Sequence, residues 1–90
     1  MEKTLIVPTL NINGSTRDNL VDYHTRAMRK INEAYAALAD MAPHGRDYQT
    51  APPGTHEKAQ EQYKVWREQL RVIHNDIESI AIEISNQGYR

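Results

Sequence analysis

The stretch Ala42-Pro43-His44-Gly45-Arg46-Asp47-Tyr48 concentrates the chemistry of this chain. Arg46 offers a planar, permanently charged donor fork that matches phosphate or carboxylate, and Tyr48 offers a ring face on which a planar group can stack. His44 adds an imidazole that can donate or accept a hydrogen bond, and Gly45 allows close approach to the backbone. With the carboxylate of Asp47 alongside, these residue types could form a grip for an anion or a nucleotide. The plainer reading is a turn, in which Pro43 ends a helix, Arg46 and Asp47 satisfy loop carbonyls and amides, and Tyr48 packs on a hairpin end.

A second set is basic. An antiparallel hairpin with Met41 near His56 would bring Arg26, Arg29 and Lys30 level with Lys64, Arg67 and Arg71. Such a band suits a polyanionic small ligand or an acidic protein partner. Glu33, Glu61 and Glu68 stand about one turn from these bases, as they do on an ordinary solvated helix face.

The same register sets His24 near His74. Two histidines do not make a metal site: helical carboxylate centres use Glu-x-x-His on two helices with further glutamates, and Arg71 occupies the position where His74 would need its glutamate. No metal or cofactor is expected. Cysteine is absent, as are a Gly-x-Ser-x-Gly elbow and the glycine patterns of phosphate and dinucleotide loops. The residues therefore point to recognition and not to an enzyme.

Two long amphipathic helices must position these groups. Ser15 or Thr16 can cap the first, Asp18 suits its first turn, and Pro43 limits it to about residues 16–41. Within it Val21, His24, Met28, Ile31, Tyr35, Leu38 and Ala42 recur in steps of three and four, which paints one stripe. After Pro52-Pro53-Gly54, with Thr55 as cap, a second helix is expected over about residues 56–85, ending at Asn86-Gln87-Gly88. Its stripe is Ala59, Tyr63, Trp66, Leu70, Ile73, Ile77, Ile80 and Ile84, and Val65, Val72, Ala81 and Ile82 widen it beyond a single seam.

Before them, residues 1–14 read as an extended arm, with Pro8 opposing helix and Asn13-Gly14 marking a turn. Leu5, Val7, Leu10 and Ile12 could dock the arm along its own hairpin or on a neighbouring subunit. The fold expected is all-α: an arm over 1–14, then an antiparallel two-helix hairpin over 15–90 that oligomerises into a helical bundle, since 90 residues bury little surface alone.

Composition narrows the partners. With 11 basic and 12 acidic residues the formal charge is -1, which offers no excess for nonspecific nucleic-acid binding. The longest apolar run near the start, Leu5-Ile6-Val7, is too short for a membrane span or a signal-peptide core, so no membrane association and a cytoplasmic location are expected.

Asn13-Gly14-Ser15 before the first helix and Pro43-His44-Gly45-Arg46-Asp47-Tyr48 at its end resemble a group of small bacteriophage and prophage proteins. Their pattern is approximately N-G-T/S, then P-N-G-R-D-Y-Y at the hairpin turn. Here His44 stands for the Asn and Gln49 for the second Tyr. The resemblance covers most of the chain after residue 10 and implies a phage origin, hence the host cytoplasm as the place of action. It directs attention to Arg46, Asp47 and Tyr48, with Asn13 beside them if the arm folds back along the first helix. The function expected is a non-enzymatic protein that sequesters an anionic small ligand, such as a host nucleotide immune signal. The alternatives are a module that docks and inhibits a host or phage protein, or an accessory of the virion or its assembly.

Overall fold

The computed structural model describes residues 4–87. The chain is all-α. An extended arm leads into helix α1 (Arg17–Leu38), 3₁₀ turns follow at Ala39–Met41 and Gly45–Tyr48, and helix α2 (Thr55–Ser85) completes an antiparallel hairpin. The molecule is a rod with extents of 65 × 29 × 17 Å. No helix among the described residues is long and apolar enough to cross a membrane.

The helix ends follow from local chemistry. Thr16 is extended, and its hydroxyl accepts a hydrogen bond from the Asn19 amide at 3.1 Å, so one of the four free amides of α1 is satisfied. At the other end the Ala39 amide is shared between the carbonyls of Ala36 and Ala37, the helix tightens into the 3₁₀ turn, and Ala42 becomes extended ahead of Pro43. The start of α2 differs from expectation. Gly54, at φ 87°, occupies the capping position, and Thr55 is the first helical residue. The Thr55 hydroxyl therefore donates backwards to the Pro52 carbonyl at 2.8 Å and caps nothing. Only glycine adopts that left-handed geometry freely, which explains why it takes the position.

Along α1 the expected stripe from Val21 to Leu38 is half-buried throughout, as is Ala42 beyond the helix end. On α2 the stripe divides into two rows, each with members two helical turns apart. One row, Tyr63, Leu70, Ile77 and Ile84, forms the seam against α1, and Ile84 at 0% exposure is its deepest member. The other contains Ala59, Trp66, Ile73 and Ile80. Of these Trp66 and Ile73 remain 41% and 47% exposed, because α2 is turned toward the other flank of its seam row, where Arg67 reaches Tyr35 and Ala81 is buried at 7%. Ala81, expected on the flank, is instead part of the core at 7%.

The register is also shifted from the expected one. The Tyr63 hydroxyl donates to the Leu38 carbonyl at 2.7 Å, and Arg67 donates to the Tyr35 hydroxyl at 2.6 Å. Pro43, and not Met41, meets His56. The two helices are thus offset by about a turn, roughly 5 Å, from the register that levels the basic residues.

The arm docks on its own hairpin through the side chain of Gln87. The Leu10 amide donates to Gln87 Oε1 at 2.9 Å and Gln87 Nε2 donates to the Pro8 carbonyl at 2.7 Å, so one side-chain amide serves both backbone groups as a neighbouring strand would. Arg17 reinforces the junction by donating to the Gln87 carbonyl at 3.2 Å. Leu5, Val7 and Leu10 are half-buried while Ile6 faces out, the alternation of an extended segment with one face covered. Ile12 is 98% exposed and takes no part in docking, because the turn closed by Gly14 N–H to the Asn11 carbonyl carries it away from the helices.

Gln87→Ala should remove both arm hydrogen bonds at a cost of about 1–2 kcal/mol and abolish amide-exchange protection at Leu10, with α1 and α2 still formed. Ile84→Ala should cost more, about 2–5 kcal/mol by chemical denaturation, because it opens a cavity at the deepest point of the seam.

Candidate functional site at the hairpin apex

The connection between the helices is organised around His56, in the first turn of α2. Its Nε2 donates to the Pro43 carbonyl at 3.4 Å, and its ring stacks on Tyr48 with centroids 5.3 Å apart and planes inclined by 22°. Gly45 passes beside the same ring: a Cβ there would stand 3.6 Å from His56 Cε1. The intervening turn is held by Asp47 N–H to the His44 carbonyl at 3.0 Å and Ala51 N–H to the Tyr48 carbonyl at 3.1 Å. The loop thus wraps one imidazole, leaving Tyr48 half-buried while His44, Arg46 and Asp47 are exposed.

His44, Arg46, Asp47 and Tyr48 therefore share one end of the rod, as expected. Asn13 does not join them. It precedes α1, at the end where Arg17 meets Gln87, and α1 alone separates it from the apex by roughly 30 Å. The arm runs along the end of α2, not back along α1 to the turn, which removes Asn13 from this site within one chain. His56 is the participant that sequence reading undervalued. It lies two turns before Tyr63 and so begins the seam row that continues through Leu70, Ile77 and Ile84.

Electrostatically the apex differs from the rest of the hairpin. The basic band is matched locally: Arg26 pairs with Asp22 at 3.1 Å, Lys30 with Glu33 at 3.3 Å, Lys64 with Glu61 at 3.4 Å, and Arg71 with Glu68. Arg67 is spent on the seam, over the rings of Tyr35 at 4.9 Å and Tyr63 at 5.7 Å. With the shifted register, Lys64 and Arg67 sit level with Leu38 and Tyr35, beyond the level of Arg26, Arg29 and Lys30, so the six do not form one band. Besides Arg67, three basic side chains among the described residues, Arg29, Arg46 and Lys58, have no ion-pair partner. Two of these three, Arg46 and Lys58, lie in or next to the apex connection. In addition, α2 starts without a side-chain cap, and the His56 and Glu57 amides have no backbone acceptor. An uncapped helix start presents partial positive charge and donors to an anion.

The histidine pair expected near mid-hairpin does not meet. His24 Nδ1 donates to the Leu20 carbonyl at 2.8 Å within its own helix, and His74 lines a separate groove with Ile31, Asn32, Tyr35, Leu70 and Arg71. No group of metal-ligating side chains occurs among the described residues.

In comparisons with known proteins, no family profile matches this chain, and neither a curated protein nor a solved structure is detectably similar to it.

The Tyr48–His56 stack should couple the two side chains by about 1 kcal/mol in a double-mutant cycle of Tyr48→Ala and His56→Ala, measured by denaturation. At Glu68, the hydrogen bond from Arg71 holds the carboxyl below its ordinary range, and Arg71 is raised in return. Because the folded carboxyl is the stronger acid, what the pair contributes is present above the ordinary glutamate range and is lost as pH falls through the lowered value. Titration by NMR should find Glu68 protonating at lower pH than a free glutamate, and Arg71→Ala should return it upward.

Proposed function

We propose that this chain is a non-catalytic binding protein that captures an anionic, ring-bearing small ligand at the hairpin apex. The observation that carries the reading is Arg46, an exposed guanidinium with no ion-pair partner among the described residues, set in the same turn as the Tyr48–His56 stack. A guanidinium fork left open beside a fixed ring is suited to a phosphate and a planar group together. Asp47, also exposed, can accept from ligand hydroxyl or amino groups. Lys58 and the uncapped start of α2 add donors of the same sign.

A nucleotide meets these requirements. In this reading the protein is of phage origin and works in the host cytoplasm, where it withdraws a host nucleotide signal by mass action. The resemblance of the 43–48 segment to phage proteins supports that setting. A second reading, docking to a host or phage protein, is favoured by the exposed Trp66 and Ile73 on α2.

Isothermal titration against a panel of cyclic and linear nucleotides, with inorganic phosphate as control, tests the ligand reading. Micromolar or tighter binding to at least one member is expected. Arg46→Ala and Tyr48→Ala should each weaken it by about tenfold or more, the effect of losing a charge-assisted pair or a stacking surface. Absence of heat with every nucleotide at micromolar protein would exclude this function.

A further inference from the structure

The hairpin exposes more surface than its size warrants. A compact monomer of 10.4 kDa is expected to expose about 5,400 Å². This chain exposes 7205 Å², an excess of roughly 1,800 Å², whereas a stable protein interface takes about 800 Å² from each partner.

The excess is accompanied by an ordered apolar face. Two grooves beside the seam, one with Ile31, Leu70 and Arg71 and one with Val21, Asp22 and Ser85, mark one broad side of the hairpin. Across the seam from these lie Trp66 and Ile73 on α2 and Ala27, Ala34 and Ala37 on α1, so these share the opposite side. There Trp66 (41% exposed) and Ile73 (47%) make a bulky row, and a groove formed by Glu68, Gln69, Val72 and Ile73 runs beside it. The alanines form a shallow row on the neighbouring helix. The bulky row continues two turns at a time through Ile80 to Gln87, where the arm is attached, and Ile80 and Gln87 are half-buried. The face is therefore closed at the arm end and open toward the apex.

We infer that a second copy of this chain covers the open part of this face. The two rows are complementary to each other at matched heights. Trp66 lies between Tyr63, opposite Leu38, and Arg67, opposite Tyr35, which sets it level with Ala34 and Ala37. A two-fold axis along the length of the hairpin preserves height and places α2 of one copy over α1 of the other. Trp66 and Ile73 of each copy then enter the shallow alanine row of its mate, and the contact is self-complementary as a two-fold interface requires. The alternative two-fold, across the rod, would set bulky row on bulky row. The axis along the rod yields a four-helix bundle with both apices at one end, so two copies of Arg46 and Tyr48 face the same solvent. This dimer stands on shape and surface and does not depend on the ligand reading.

Sedimentation equilibrium together with Trp66 fluorescence tests it, since Trp66 is the only tryptophan in the chain. The expected result is twice the chain mass at micromolar concentration, with emission that shifts to the red on dilution. Ala34→Glu, at an exposed position of α1, should retain helicity by circular dichroism and raise the dimer dissociation constant by about tenfold or more through a buried unpaired charge. Ala37→Glu should do the same. The chain has no cysteine, so Ala34→Cys and Gln69→Cys proteins can be mixed under mild oxidation. A mixed disulfide between different chains is the outcome this geometry requires. A monomer at all concentrations, a dimer indifferent to both glutamates, or exclusively like-with-like disulfides would overturn the inference.

Discussion

Two helices can share only one seam, and this geometric limit governs the whole molecule. A helix whose apolar face is wider than that seam covers all of it only when it has more than one neighbour. Here α1 keeps its stripe half-covered, while α2 commits the Tyr63–Leu70–Ile77–Ile84 row to the seam and leaves Trp66 and Ile73 in solvent. The other unusual features follow from that shortage of cover. Among the described residues the buried core reduces to Ala81 and Ile84, and polar ties between the helices supplement it: Tyr63 to the Leu38 carbonyl and Arg67 to Tyr35.

The apex shows how a short connection can be made rigid without a core of its own. Pro43 stops one helix, Gly54 admits a left-handed residue before the next, and His56 gathers the segment between them by one hydrogen bond and one ring contact. A loop organised from the imidazole outward keeps its charged side chains free. Arg46 is available because the backbone turns, and not its guanidinium, hold the loop together. This separation between what builds the turn and what projects from it is the physical basis for reading the apex as a recognition surface.

Much of this was legible in the sequence, and the failures have identifiable causes. Steps of three and four located both helices, and Thr16, Pro43 and Asn86 marked ends that the structure retains to within a few residues. The gathering of His44, Arg46, Asp47 and Tyr48 required only that they be consecutive. Thr55 misled because its side chain is a good cap by type, yet Gly54 already held the position. The basic band misled because composition does not determine register, and an offset of one turn is decided by packing at Tyr35, Leu38 and Tyr63. Asn13 misled because the direction of the arm depends on Gln87, a contact spanning nearly the whole chain that no local pattern encodes.

The proportions of the rod, 65 Å long and 17 Å in its thinnest dimension, have a consequence for how it comes apart. Each turn of helix touches only the turns above, below and across, so cohesion passes along the molecule stepwise and is not pooled in a centre. Such an object behaves like a zipper with two ends. At one end Ile84 and the Gln87 junction act as the stop; at the other, the loop around His56 is the slider. Anything that grips the apex would slow fraying there and leave the arm end nearly untouched, so the two ends can be tuned independently by changes at their own residues.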